Sequence, residues 1–266
     1  MSDWGPFSLA GKNSIITGGA TGIGLGIAES LAEAGANTLI ADLDGAGAAA
    51  SATRIREAYG VRAEAIELDV TSPDAGEALC AACSQRFGGV NIVCNNAGVY
   101  PQVPMLKMSP DLFDKIYRLN LRALAFISKA AGNKMVEQGT GGRIINIASI
   151  DAFRPTMIGL AAYGATKGGV VMFTKNLALE MASVGVTVNA IAPGGISTRG
   201  SAATMLESGM SAEQMNAWTT AFTARVPLGR IGTPRDVGTA AVFLASAAAD
   251  YITGTILLVD GGYLLT

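Results

Sequence analysis

The sequence predicts a doubly wound α/β fold: a seven-stranded parallel sheet with helices on both faces, in a single domain. Three observations predict it. Short runs rich in Ile and Val alternate with longer stretches of helical periodicity along the whole chain. The short runs are apolar almost throughout, not only at every second residue, as strands buried on both faces require. With 266 residues and 50% hydrophobic content the chain can bury a large core, and no linker divides it.

The first strand, 13–17, carries Ile15 and Ile16 and stops at Gly18-Gly19; a helical pattern over 23–33 follows. The second, 37–42, runs through Leu39 and Ile40 to Asp42 and leads to an Ala-rich helix over 46–58. A third strand over 62–68 precedes a helix over 74–87, with Ser72-Pro73 as its start signal. The fourth strand, 90–94, is followed after Ser109-Pro110 by one long helix over 111–137. Strand 142–148, helix 163–183, strand 186–191, helix 234–245 and strand 256–259 complete the alternation. Residues 197–225 fit neither pattern and read as an inserted segment over a site, a variable substrate lid.

Composition narrows the chemistry. A net charge of −2 and no run of like charge give no field for nucleic acid. The N-terminus has no leader-like pattern and no apolar run is long enough to span a bilayer, so a soluble, cytoplasmic protein is expected. Three cysteines do not make a disulfide framework; Cys80 and Cys83 form a CxxC inside a predicted helix and read as packing, as does Cys94. The chain contains no histidine, which excludes Ser-His-Asp hydrolysis, Cys-His nucleophiles and His-ligated zinc. No metal is expected.

Residues 17–24 read TGGATGIG between a strand and a helix, so Gly18, Gly22 and Gly24 lie in a strand-to-helix turn. Such a turn lets backbone N–H groups and the helix dipole approach a pyrophosphate. Asp42, ending the second strand, stands where a carboxylate accepts the ribose hydroxyls of an adenosine. Its charge would repel a 2′-phosphate, and Thr21, Leu43 and Asp44 offer no cation to offset that, so NAD is expected over NADP. Tyr163 and Lys167, four residues apart, share one face of a helix.

TGGATGIG at 17–24, NNAG at 95–98, Ser149, YGATK at 163–167 and Pro193-Gly194 resemble, in order and spacing, the short-chain dehydrogenase/reductase family, in its short single-domain branch. Asp69-Val70, Asn120 and the closing Asp260-Gly261-Gly262 extend the resemblance over nearly the whole chain. It implies a Rossmann-type fold and hydride transfer between a nicotinamide cofactor and a secondary alcohol or ketone. By the same resemblance Tyr163 is the general acid/base, Lys167 lowers its pKa and holds the nicotinamide ribose, and Ser149 orients the reacting oxygen. Asn120 completes a proton-relay tetrad. A phenol is a poor base at neutral pH, so a nearby ammonium and a cationic nicotinamide suit that role.

The resemblance further assigns cofactor contacts to Gly18, Thr21, Gly22, Ile23, Gly24, Asp42, Leu43, Asp69, Val70, Asn96, Ala97, Gly98, Tyr163, Lys167, Pro193, Gly194, Ile196 and Thr198. It implies a homotetramer built on the two long helices and the C-terminal segment. The turn EQGTGGRIINIAS points to polyol and sugar-acid members; a cyclic hydroxy compound is the other expected substrate class. A 3-oxoacyl or xenobiotic ketone reductase is the nearest rival, and a non-catalytic dinucleotide-binding sensor the rival of another class. An epimerase of the longer branch would need a larger C-terminal domain. Met205, Met210, Met215, Trp218 and Phe222 read as an apolar lid or as packing, and Asp151, Phe153 and Arg154 as candidates to face the substrate.

Overall fold

Seven strands form where the apolar runs predict them. The computed structural model describes residues 4–198 and 211–266. The strands are β1 (Asn13–Thr17), β2 (Asn37–Asp42), β3 (Ala63–Glu67), β4 (Ile92–Asn95), β5 (Gly142–Ile147), β6 (Val186–Pro193) and β7 (Ile256–Val259). All pair in parallel in the order β3-β2-β1-β4-β5-β6-β7. The order reverses between β1 and β4, so a crevice opens beyond their carboxyl ends at Thr17 and Asn95.

Adjacent residues of one strand point to opposite faces, and here both faces are covered. Ile16 and Ile40 are buried against Ile27, Leu31, Val237 and Val242 on one side. Ile15 and Leu39 are buried against Leu79, Cys83, Ile127 and Met135 on the other. Each such side chain contributes about 1.5–3 kcal/mol on full burial. The described helices are α1 (Gly22–Glu33), α2 (Gly45–Tyr59), α3 (Ala75–Phe87), α4 (Pro110–Tyr117), α5 (Leu124–Gln138), α6 (Ala161–Met181), α7 (Ala212–Thr223) and α8 (Pro234–Ala245).

Three expectations need correction. The long helix over 111–137 is interrupted: α4 and α5 are joined by a π-helical turn, Arg118–Ala123, centred on Asn120. The Asn120 amide is tied to the backbone of Val99, which fixes this wider turn against the loop after β4. The start signal Ser72-Pro73 does not cap α3, which begins at Ala75 after Asp74, whereas Ser109 does cap α4 by accepting from Leu112 N at 3.2 Å. The segment 197–225 is not irregular throughout. Ser211 and Gln214 form a reciprocal capping box that starts α7, a signal present in the sequence. Met205 and Met210 lie outside the described residues.

Candidate active site

The glycine-rich turn is held from behind by the loop after β4. Thr17 Oγ1 accepts the N–H groups of Asn96 (3.0 Å) and Ala97 (3.1 Å). In return Asn96 Nδ2 donates to the carbonyls of Thr17 (3.0 Å) and Gly18 (2.9 Å). A Cβ on Gly24 would stand 2.0 Å from the Gly18 carbonyl oxygen, and Gly18 itself has φ +62°. Only glycine lets α1 start this close beneath the turn. Thr21, preceding α1, makes no side-chain capping bond, which leaves the first N–H groups of the helix for an anion.

Asp42 is positioned by the same turn. Its carboxylate accepts from Ala20 N (3.0 Å) and Asp44 N (3.1 Å), so charge and glycine-rich loop keep a fixed separation. A cavity of about 1100 Å³ runs over both and on to the ends of β5 and β6. Every catalytic and cofactor-contact residue predicted above lines it except Gly22, Gly24 and Asn120. Gly24 acts from beneath, by close packing. The Asn120 side chain is buried and fully engaged: Oδ1 accepts from Val99 N (2.8 Å), and Nδ2 donates to Val99 O (2.8 Å) and Thr166 Oγ1 (3.3 Å). The residues fit a dinucleotide along the glycine-rich half of this cavity.

In the other half Ser149 follows β5, and Tyr163 and Lys167 project from successive turns of α6. The Lys167 ammonium is buried, donates to the Ile147 carbonyl at 2.7 Å and lies 5.7 Å from the Tyr163 ring centroid. Burial pushes its pKa down to about 8. The Tyr163 phenol is held above its ordinary value, chiefly by enclosure; its hydrogen bond with Ser149 opposes this, while the charges of Asp151 and Tyr100 add to it. The protein groups alone therefore keep Tyr163 protonated. Lys167 is not among the groups that shift this phenol; its ammonium donates to the Ile147 carbonyl.

Sequence reasoning named Asp151, Met215, Trp218 and Phe222 as candidates here but missed Tyr100, Thr156 and Thr219. Tyr100, two places after the NNAG motif, has its ring 5.8 Å from that of Tyr163. Asp151 and Thr156 both line the cavity, whereas Phe153 and Arg154 do not; Arg154 instead donates to the Thr266 carbonyl. Met215, Trp218, Thr219 and Phe222 of α7 form one wall. Trp218 stacks on Phe222 (5.1 Å) and Phe222 on Tyr263 (4.6 Å), so the C-terminal turn buttresses that wall. The three cysteines stand apart from this chemistry: burial raises Cys80 to about 11, and Cys83 and Cys94 to about 12.

Residues 18–264 match the family model described as enoyl-(acyl carrier protein) reductase. The chain is 40% identical to the 3-oxoacyl-(acyl-carrier-protein) reductase FabG of Vibrio cholerae, with 96% of this chain and 98% of that one covered. It is 36% identical to the galactitol 2-dehydrogenase of Agrobacterium fabrum, over 96% and 98% of the two chains. A short-chain type dehydrogenase/reductase from Mycobacterium marinum superposes with a TM-score of 0.90 at 33% identity, covering 100% of both. The chain belongs to the short-chain dehydrogenase/reductase family.

Its membership makes the enzyme an NAD(P)-dependent oxidoreductase acting on CH–OH groups. Similar solved structures hold either form of cofactor. A 7α-hydroxysteroid dehydrogenase (TM-score 0.88, 32% identity, 98% of both chains) was solved with NADH, and a gluconate 5-dehydrogenase from Burkholderia cenocepacia (0.88, 35%, 98% of both) with NADP. Among the described residues of this dehydrogenase/reductase no helix is long and apolar enough to cross a membrane.

Proposed function

We propose that the enzyme moves a hydride between NAD(H) and the carbinol or carbonyl carbon of a small hydroxylated substrate: a polyol, sugar acid or cyclic hydroxy compound. The observation that carries this is the meeting of Ser149, Tyr163 and Lys167 in one cavity with the glycine-rich turn and Asp42. When bound, the nicotinamide supplies or accepts the hydride. Ser149 donates to the reacting oxygen and orients it. In reduction, Tyr163, protonated as the site stands, gives that oxygen its proton; in oxidation the phenolate takes the hydroxyl proton. Lys167 supplies the positive charge that the phenolate form needs, and Asn120 acts at one remove, by fixing Val99 and the π-helical turn. The test is reduced-nicotinamide absorbance across polyols, sugar acids, cyclic alcohols and ketones, with both cofactors.

The preference for NAD rests on Asp42, whose carboxylate lines the cavity with exposed Leu43 beside it. The double variant Asp42→Ala, Leu43→Arg is expected to shift the NADP-to-NAD ratio of kcat/KM toward NADP by about 100-fold. One repulsion is removed and one charge-assisted hydrogen bond to the 2′-phosphate is added, which together are worth a change of that size. A ratio left unchanged would remove Asp42 from the ribose site.

Residues 211–225 serve as the cover of the substrate half, with Met215, Trp218 and Phe222 as its apolar inner face. That wall also favours a second reading, reduction of a 3-oxoacyl or other apolar ketone, in keeping with the Vibrio cholerae relative. We further place the enzyme in the cytoplasm as a homotetramer. Large apolar side chains, Phe126 on α5 and Met172 and Leu179 on α6, are exposed along the helices expected to meet symmetry mates. Light scattering is expected to give four times the protomer mass; a monodisperse monomer would refute it.

A further inference from the structure

Asp151 is a carboxylate inside the substrate half of the cavity, two residues beyond Ser149. Its Oδ1 is satisfied by Thr156, accepting from the backbone N–H (3.1 Å) and the hydroxyl (2.9 Å). Its Oδ2 accepts from the Ser149 hydroxyl at 3.3 Å and shares the Thr156 hydroxyl at 3.1 Å. The Asp151 backbone N–H donates to Ser149 Oγ at 3.1 Å. Among the described residues none of the ion pairs includes Asp151.

A serine hydroxyl has one proton to give. When Ser149 turns that proton to the reacting oxygen, Asp151 Oδ2 loses its donor and keeps only the shared bond to Thr156. A buried or half-buried carboxylate oxygen left short of donors is costly, so the site favours a substrate that brings one. The donor nearest to hand is a hydroxyl on the carbon beside the reacting carbon. A substrate carrying a carboxylate there would instead meet like charge.

On the reading given above as proposed function, we infer that Asp151 is a specificity-determining residue that selects neutral substrates with a hydroxyl next to the reacting carbon, vicinal diols and α-hydroxyketones, over acids. Of the three substrate classes this favours the polyol and the cyclic hydroxy compound and disfavours the sugar acid. Enclosure is the main force that keeps Tyr163 protonated; against the Ser149 hydrogen bond, the Asp151 carboxylate and Tyr100 add to it, while Lys167 donates to the Ile147 carbonyl.

The experiment compares kcat/KM for 1,2-cyclohexanediol, cyclohexanol and 2-hydroxycyclohexanecarboxylate in wild type and Asp151→Asn. Wild type is expected to prefer the diol to each of the others by at least about tenfold, the worth of a hydrogen bond to a charged group. Asp151→Asn is expected to raise the acid-to-diol ratio by about tenfold and to move the pH–rate profile to lower pH, which a merely structural role would not do. Should the asparagine variant fail to fold, Asp151→Ser repeats the comparison in a smaller side chain. Turnover with the ratio and profile unmoved would overturn this inference and leave the dehydrogenase intact. Silence of the wild-type enzyme with these and the wider panel would overturn both.

Discussion

Replacing Tyr163 with Phe is expected to lower kcat by about 10³–10⁴-fold, the upper range for removing a positioned general acid/base. The substitution deletes one oxygen. The ring stays packed 5.8 Å from Tyr100, and the glycine-rich turn, Asp42 and Lys167 are untouched, so NADH affinity and thermal midpoint should change little. Loss of turnover with cofactor binding retained, read by absorbance and by NADH fluorescence, marks an oxygen that works on the proton. Turnover undiminished in the variant would remove Tyr163 from the acid/base role. A matching loss of NADH affinity would make Tyr163 a binding residue first.

Lys167→Met is expected to abolish turnover to a similar degree and, separately, to change how stability depends on pH. The ammonium is buried and its pKa falls from the ordinary 10.5 to about 8. Between those two values the unfolded chain holds a proton on this lysine that the folded chain has released. Stability contributed by this group therefore rises with pH from about 8 to 10.5, by on the order of 3 kcal/mol in total. Below about 8 the folded protein carries the buried charge, steadied by the Ile147 carbonyl at 2.7 Å. In Lys167→Met that rise should be missing. Urea midpoints of both proteins without cofactor, measured at several pH values from about 7.5 to 10.5, would show two curves that diverge as pH rises. Parallel curves would mean the ammonium is not desolvated.

These two side chains also show how unevenly the site was written in the sequence. The family resemblance names Ser149, Tyr163 and Lys167 as a catalytic group, and the helical spacing of Tyr163 and Lys167 is enough to bring them to one face. The strand runs named the sheet, and β1, β2 and β7 end where their apolar runs end. Boundaries drifted where the deciding bonds come from far along the chain. The π-helical turn around Asn120 depends on Val99, and the cap of α4 on Ser109 was legible only because its partner, Leu112, is three residues away.

The sequence by itself determined the layered α/β architecture, the strand-to-helix glycine turn, a carboxylate at the end of β2 and the Tyr163-Lys167 pair, because each is carried by residues a few positions apart or by local periodicity, whereas Ser149 entered through the family resemblance. Tertiary structure alone decided the rest. The clamp of Thr17 and Asn96, the seating of Asp151 against Ser149 and Thr156, the aromatic stack from Trp218 to Tyr263 and the depressed pKa of Lys167 arise from neighbours that folding brings together. Desolvation and hydrogen bonding act over a few ångströms whatever the distance along the chain, and periodicity holds no record of either.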